Sequence, residues 1–109
     1  IVWLTRLTAP WFSVGDYAAT ALPPPPGVIM FNPEYGERMG DEARLEPVYR
    51  GIGDFLKQKA NGYMAYVFTA NLKLARCVGL HARRRIILYN ANLEARLLEF
   101  EMYAGTRDP

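Results

Sequence analysis

Four residues of contrasting chemistry, Asn32, Pro33, Glu34 and Tyr35, directly follow an apolar run at residues 28–31. They place an amide, a carboxylate and a phenol within one short loop, together with a proline that restricts the backbone. Such groups can accept hydrogen bonds from a ligand and stack on a flat one. On these four residues alone, a turn that ends a strand is the simpler interpretation, so the surrounding elements must decide.

The elements on either side of this loop indicate an α/β fold. The apolar run at 28–31 is typical of a strand buried on both faces. Apolar residues then recur with the spacing of one helix face, at Leu45, Val48, Tyr49, Ile52, Phe55 and Leu56. Because a proline is tolerated only near the first turn of a helix, Pro47 predicts that this helix begins near Leu45.

The remainder of the chain predicts three further strands and a short helix. Residues 63–69 form a second buried strand, and residues 72–78 a short helix closed by Gly79. Residues 84–89 and 93–103 form a hairpin around the turn at 90–92, and the apolar middle of the last strand predicts that it is an inner strand. The predicted fold is therefore the second half of a Rossmann-like sheet, with parallel strands, helices on the faces and a terminal antiparallel hairpin.

Upstream of the loop the signals are weaker. Residues 23–26 are four consecutive prolines, which predict an extended connector. Residues 1–8 are apolar enough for the end of a helix or a short strand, and residues 11–14 for a short strand.

The composition limits the classes of function. A chain of 109 residues with 50% apolar residues is expected to form one compact unit. Its net charge of +2 does not predict nucleic-acid binding through bulk charge, so any basic surface must be local. The single Cys77 allows neither an internal disulfide nor a cysteine metal cluster, which suits the cytoplasm, and no apolar run is long enough to span a membrane.

Three ordered blocks of sequence carry a family resemblance. NPEYGERMG at 32–40, GDFLKQKANGYMAYVFTAN at 53–71 and RRRIILYNANLEARLLEFEM at 83–102 resemble the THUMP-associated, class I S-adenosylmethionine-dependent RNA guanine-N2 methyltransferases. The matching part is the carboxyl-terminal half of the catalytic domain. That family has a second proline in the loop where this chain has Glu34.

The resemblance implies roles for the loop residues. Asn32, through its side-chain oxygen, and Pro33, through its carbonyl, would accept the hydrogens of an exocyclic base amine while S-adenosyl-L-methionine supplies the methyl group. Tyr35 would stack on the extruded base. Glu34 completes the catalytic loop, and its charge would either assist cofactor binding or repel RNA phosphate.

The resemblance also implies cofactor and RNA contacts. Asp16 and the following Tyr17 are similar to the short acidic motif that binds the adenine of the cofactor. The candidate RNA-binding residues are Arg38 and the basic run Arg83, Arg84 and Arg85, for which a charged strand entrance is the commoner role.

Several expectations about the whole protein follow. Residues 1–109 would be part of a catalytic domain, with the end of the cofactor-side half and the connector at 1–26 and the substrate-side half at 27–109. The missing amino-terminal half and a THUMP module would precede it, and the fragment alone would be inactive and self-associate or be ordered by a partner.

The expected substrate is ribosomal RNA or, next, transfer RNA. The alternatives are a non-catalytic RNA-binding or interaction module and a methyltransferase for adenine N6 or protein glutamine.

Overall fold

The computed structural model describes residues 2–6, 22, 24–36, 39–90 and 93–103. The described part contains five strands and two helices, in the order β1 (Val2–Arg6), β2 (Gly27–Phe31), α1 (Asp41–Lys59), β3 (Tyr63–Thr69), α2 (Leu72–Cys77), β4 (Arg84–Asn90) and β5 (Leu93–Glu101). Residues 11–14, for which the sequence predicts a strand, lie outside the described residues.

The strands form one sheet in the order β1-β2-β3-β5-β4. β2 and β3 are parallel and joined through α1, whereas β5 runs antiparallel to both β3 and β4. This arrangement confirms the predicted parallel pair, the terminal hairpin and the inner position of the last strand. Of the two alternatives for residues 1–8, the strand is the one observed, paired antiparallel to β2.

Both helices pack on the same face of the sheet. The largest buried side chains there include Ile29, Phe31, Tyr49, Leu56 and Leu74. Gly53 lets the two helices approach closely, since a Cβ at this position would lie 1.8 Å from the carbonyl oxygen of Val78. The close approach fixes α2 against α1 and, through it, the loop that precedes α2.

Helix α1 begins at Asp41, about one turn before the start near Leu45 that Pro47 predicts. The prediction is wrong because the acidic first turn stabilises the amino terminus of the helix. Arg44 contributes twice, since its backbone N–H donates to the carbonyl oxygen of Gly40 and its side chain lies 3.3 Å from the Asp41 carboxylate. Pro47 is accommodated inside the helix, where it removes one backbone donor.

The other face of the sheet is more open. Along β2 and β3 its side chains are half-buried, and they are Val28, Met30, Met64, Tyr66 and Phe68. Neither of the two described helices packs on this face. Neither helix is long and apolar enough to cross a membrane.

Candidate functional site

The polar loop Asn32 to Tyr35 leaves the carboxyl end of β2 at the edge of the sheet. Because β2 and β3 are parallel, Thr69 at the end of β3 reaches the same edge. Ligands of open α/β sheets bind beyond this edge. The structure therefore places the four predicted catalytic residues together where such a fold places its ligand.

Tyr49 of α1 holds the loop from below. Its side chain is fully buried, and its hydroxyl donates to the carbonyl oxygen of Glu34 at 2.6 Å. The same hydroxyl lies 2.9 Å from Oγ1 of Thr69, which itself accepts from the backbone N–H of Asn71 at 3.1 Å. Since Tyr49 has one proton and gives it to the loop, Thr69 donates to Tyr49, and every group in this chain of hydrogen bonds has a partner.

The environment of Tyr49 keeps it in the donor form. Burial raises the pKa of its phenol, and the negative charge of Glu34 acts in the same direction, against the hydrogen bond from Thr69. Tyr49 therefore remains protonated at neutral pH, as its bond to the Glu34 carbonyl requires.

Asn71 holds the loop from the side of α2. Its Nδ2 donates to the carbonyl oxygen of Tyr35 at 3.1 Å, while its Oδ1 accepts from the backbone N–H of Leu74 at 3.0 Å. The second bond caps α2 and so fixes the orientation of the amide. Two consecutive loop carbonyls are thus bound by side chains from two different elements, which sets the backbone path of the loop.

The sequence did not identify Tyr49, Thr69 or Asn71 as site residues. Tyr49 reads as one more member of the apolar stripe of α1, and Asn71 as an ordinary residue between strand and helix. One signal was available for Asn71, because an asparagine directly before a short helix is a typical amino-terminal cap. Nothing in the sequence pairs either residue with the loop, since that contact depends on the packing of α1 and α2.

The amide of Asn32 is available to a ligand. The side chain of Asn32 is exposed and forms no hydrogen bond or ion pair within the described part of the chain, while Pro33 and Tyr35 are half-buried. The loop therefore presents the amide of Asn32 on a backbone that Tyr49 and Asn71 hold in place.

Glu34 directs its carboxylate towards α1. One of its oxygens lies 2.9 Å from the guanidinium of Arg44, which also pairs with Asp41. The hydrogen bond to Glu34, followed by that to Asp41, raises the pKa of Arg44. The pair is exposed, with side-chain exposures of 57% for Arg44 and 71% for Glu34, so solvent screening leaves it little effect on stability. Its main effect is to partner the extra negative charge of the loop with a cation.

The basic run does not act as one patch. Arg83 and Arg84 lie 3.8 and 3.3 Å from the carboxylate of Glu99, and Arg83 also reaches Glu101 at 2.7 Å. These contacts lie on the open face, where Tyr66 donates to Glu99 at 2.7 Å, a hydrogen bond that raises the pKa of the Tyr66 phenol.

Arg85, next along β4, pairs in register with Leu98 on the helix face. The side chains of a strand alternate between faces, so Arg85 and Arg84 lie on opposite faces. Arg83 precedes the strand, and its guanidinium reaches Glu99 and Glu101 on the open face. The structure thus divides the predicted RNA-binding set.

The remaining predicted site residues, Asp16, Tyr17 and Arg38, lie outside the described residues. Within the described residues there is no group of three or more histidine, cysteine or acidic side chains that could hold a metal ion.

Comparison with known proteins gives one family and several relatives. The sequence profile of UPF0020, described as the RMKL-like methyltransferase domain, matches residues 10–99. The chain is 39% identical over 88 residues to a candidate RNA methyltransferase of Synechocystis sp., and the alignment covers 81% of this chain and 23% of the relative. It is 44% identical over 77 residues to the ribosomal RNA large subunit methyltransferase K/L of Methylococcus capsulatus, covering 71% of this chain and 10% of the relative.

A solved structure shares the fold. The crystal structure of a candidate methyltransferase complexed with SAH aligns with a TM-score of 0.68 at 23% identity, over 81% of this chain and 23% of the solved one. The chain thus spans between 10% and 23% of the length of these three proteins.

Proposed function

Because the chain belongs to the UPF0020 family, the RMKL-like methyltransferase domains, we propose that it is part of an RNA methyltransferase that uses S-adenosyl-L-methionine. Residues 27–109 are the substrate-side half of the catalytic domain, and residues 1–26 are the end of the cofactor-side half with its connector. The rest of the domain and a THUMP module lie elsewhere in the complete protein, which acts in the cytoplasm. The relatives named as RNA methyltransferases support the RNA substrate.

One observation carries this proposal. The loop at the carboxyl edge of β2 is held through its Glu34 and Tyr35 carbonyls by Tyr49 and Asn71, and it leaves the side chain of Asn32 exposed. A generic turn does not need two dedicated side chains to fix its backbone. A loop that must aim acceptors at a substrate does, because positioning is the main contribution a protein makes to such a transfer.

The loop residues act on the amine of the base. An exocyclic amine is a weak nucleophile because its lone pair is delocalised into the ring. Oδ1 of Asn32 and the carbonyl oxygen of Pro33 accept its two hydrogens and direct the lone pair out of the ring plane. Tyr35 stacks on the extruded base, a contact typically worth about 1 to 3 kcal/mol. Because Arg44 pairs with the Glu34 carboxylate, the charge of Glu34 does not alter the two acceptors, Oδ1 of Asn32 and the carbonyl oxygen of Pro33.

The cofactor supplies the methyl group when it is bound, and its sulfonium makes the methyl carbon electrophilic. Support for this cofactor comes from the methyltransferase family and from the SAH in the related crystal structure. Asp16 and Tyr17 are the proposed cofactor residues of this chain.

The proposed acceptor is N2 of guanine in ribosomal RNA. The name of the Methylococcus relative supports ribosomal RNA of the large subunit as the substrate class. The extended match NPEYGERMG favours guanine over adenine N6 or protein glutamine.

The test is methyl transfer by the complete natural polypeptide that contains this chain. Purified protein is incubated with labelled S-adenosylmethionine and with ribosomal RNA from a deletion strain, and the nucleosides are analysed by mass spectrometry. We expect N2-methylguanosine, and we expect Asn32→Ala to lower kcat/KM by about 100-fold, the cost of a lost transition-state acceptor.

Gln58→Ala is the matched control, because it removes an exposed amide from α1 far from the loop. It is expected to retain full activity. If the label is found in N6-methyladenosine or in protein, the acceptor is not guanine N2. Wild-type activity in Asn32→Ala would refute the role of the loop as the acceptor of the amine hydrogens. If the complete protein binds RNA and transfers no methyl group, the non-catalytic alternative holds.

A further inference from the structure

A second polar feature lies away from the loop, on the helix side of the β4–β5 hairpin. It is a groove of about 400 Å³ between α2 and the sheet. Its walls include Leu72, Arg76, Leu80, Arg85 and Arg96, and Leu98 and Phe100 contribute to its base. The groove therefore combines apolar surface with three guanidinium groups.

The charge of this groove is not balanced. Arg76 and Arg85 are exposed, and the guanidinium of neither has a hydrogen-bond or ion-pair partner in the described part of the chain. Arg96 is largely buried, with 17% of its side chain exposed, and its carboxylate partner is Glu94 at 3.5 Å. Among the residues that the structure describes, three cations of the groove thus share one anion. The adjacent Arg83 and Arg84 differ, because Glu99 and Glu101 partner both of them on the opposite face.

The groove adjoins the edge of the sheet that carries the loop. Arg96 lies opposite Thr69 in the register of β5 and β3, and Thr69 hydrogen-bonds to Tyr49 below the loop. Since neighbouring strands are about 5 Å apart, β5 lies about 10 Å from β2 across β3. A chain molecule with one unit at the loop can therefore place a neighbouring unit in the groove.

We propose that this groove binds a phosphodiester of the RNA backbone close to the target nucleotide, with Arg76, Arg85 and Arg96 as its ligands. The assignment rests on the proposed function, which supplies RNA as the substrate. Guanidinium groups match phosphate through paired N–H donors, and the net positive charge of the groove favours an anion. The apolar wall of the groove suits the ribose that accompanies each phosphate.

The test is equilibrium binding of the complete polypeptide to fluorescently labelled fragments of large-subunit ribosomal RNA, over a series of salt concentrations. Arg85→Gln and Arg96→Gln are each expected to raise Kd about five- to tenfold and to reduce the slope of log Kd against log salt by about one. Arg50→Gln, an exposed arginine of α1, has the same charge change outside the groove and is expected to leave both quantities unchanged. Thermal unfolding of each variant identifies a general loss of structure.

Glu94→Gln provides a test that does not depend on weakening the protein. It removes the carboxylate that lies 3.5 Å from Arg96, so RNA binding is expected to tighten about twofold. Arg96→Lys keeps the charge without the planar fork and is expected to recover only part of the affinity.

Methyl transfer by the same preparations separates the two proposals. The phosphate-binding role of the groove would be refuted if the protein methylates RNA and the arginine variants bind RNA as tightly as wild type. It would also be refuted if Arg50→Gln lost as much affinity as they do. Either result would leave the proposed function standing. If the variants change RNA binding as expected but the protein transfers no methyl group, the phosphate-binding role of the groove is supported and the proposed enzymatic activity is refuted. A wild-type protein that neither binds nor methylates RNA would overturn both.

Discussion

The buried hydroxyl of Tyr49 is expected to be worth more to activity than to stability. Tyr49→Phe keeps the ring in the core but removes the donor to the Glu34 carbonyl at 2.6 Å and the acceptor for Thr69 at 2.9 Å. Each bond contributes about 1 kcal/mol, and leaving a buried group unpaired costs about 1 to 3 kcal/mol. Thr69 can still accept from Asn71, so the free energy of unfolding is expected to fall by about 2 kcal/mol rather than by the full sum.

The effect on catalysis arises from the loop. Without its bond to Tyr49, the Glu34 carbonyl is free to rotate, and the adjacent Pro33 carbonyl loses its direction. A displacement of about 1 Å at a reacting group can cost about 100-fold in rate, so kcat/KM is expected to fall between about 10- and 100-fold. The assay is methyl transfer at a temperature where urea titration shows both proteins to be folded.

Tyr89→Phe is the matched control for this prediction. Tyr89 is 73% exposed and its hydroxyl donates to Glu94 at 3.2 Å. The same atom is removed without touching the loop, so stability is expected to change by less than about 0.5 kcal/mol and activity not at all. If Tyr49→Phe matched Tyr89→Phe in kcat/KM, the loop would not depend on its backbone clamp, and the argument from the two carbonyl bonds would be refuted.

Two further predictions concern backbone positions. Gly53→Ala places a Cβ 1.8 Å from the Val78 carbonyl oxygen, so α1 and α2 must separate. Urea denaturation is expected to show that the free energy of unfolding falls by at least about 3 kcal/mol. A fall of less than about 1 kcal/mol would mean that the helices do not meet as described. Glu34→Pro restores the second proline of the related family and removes an exposed ion pair that has little effect on stability, so methyl transfer is expected to equal or exceed that of wild type. A tenfold loss in Glu34→Pro, measured at saturating RNA, would show that the carboxylate itself takes part in the reaction.

Much of the fold could be predicted because each element carries its own periodicity. The strand at 63–69, the short helix closed by Gly79 and the hairpin were all predicted within a few residues of their observed bounds. The start of α1 was wrong because the rule that places proline in the first turn ignores what stabilises the turn before it. Pro47 costs one donor, whereas Asp41 and Arg44 strengthen the end of the helix that precedes it.

The site was less accessible from sequence, for a reason that the basic run illustrates. Arg83, Arg84 and Arg85 are adjacent in sequence and read as one cluster, but strand alternation separates Arg85 from Arg84, and Glu99 partners both Arg84 and the preceding Arg83. Two other arginines join Arg85 of β4 in the groove. They are Arg76 from α2 and Arg96 from β5. A charge cluster in space depends on register and helix packing, which no local pattern encodes.

The packing behind the loop also explains its one departure from the related family. A second proline would stiffen the loop from within by restricting its own backbone. Here the carbonyl of Glu34 is bound by Tyr49 and that of Tyr35 by Asn71, so the path of the loop is imposed from outside by two packed helices. A restraint through carbonyls is indifferent to the side chain at position 34, and Arg44 partners the charge that this side chain brings. The glutamate is therefore compatible with a working acceptor loop, and the residues on which the loop depends are the tyrosine and the asparagine behind it.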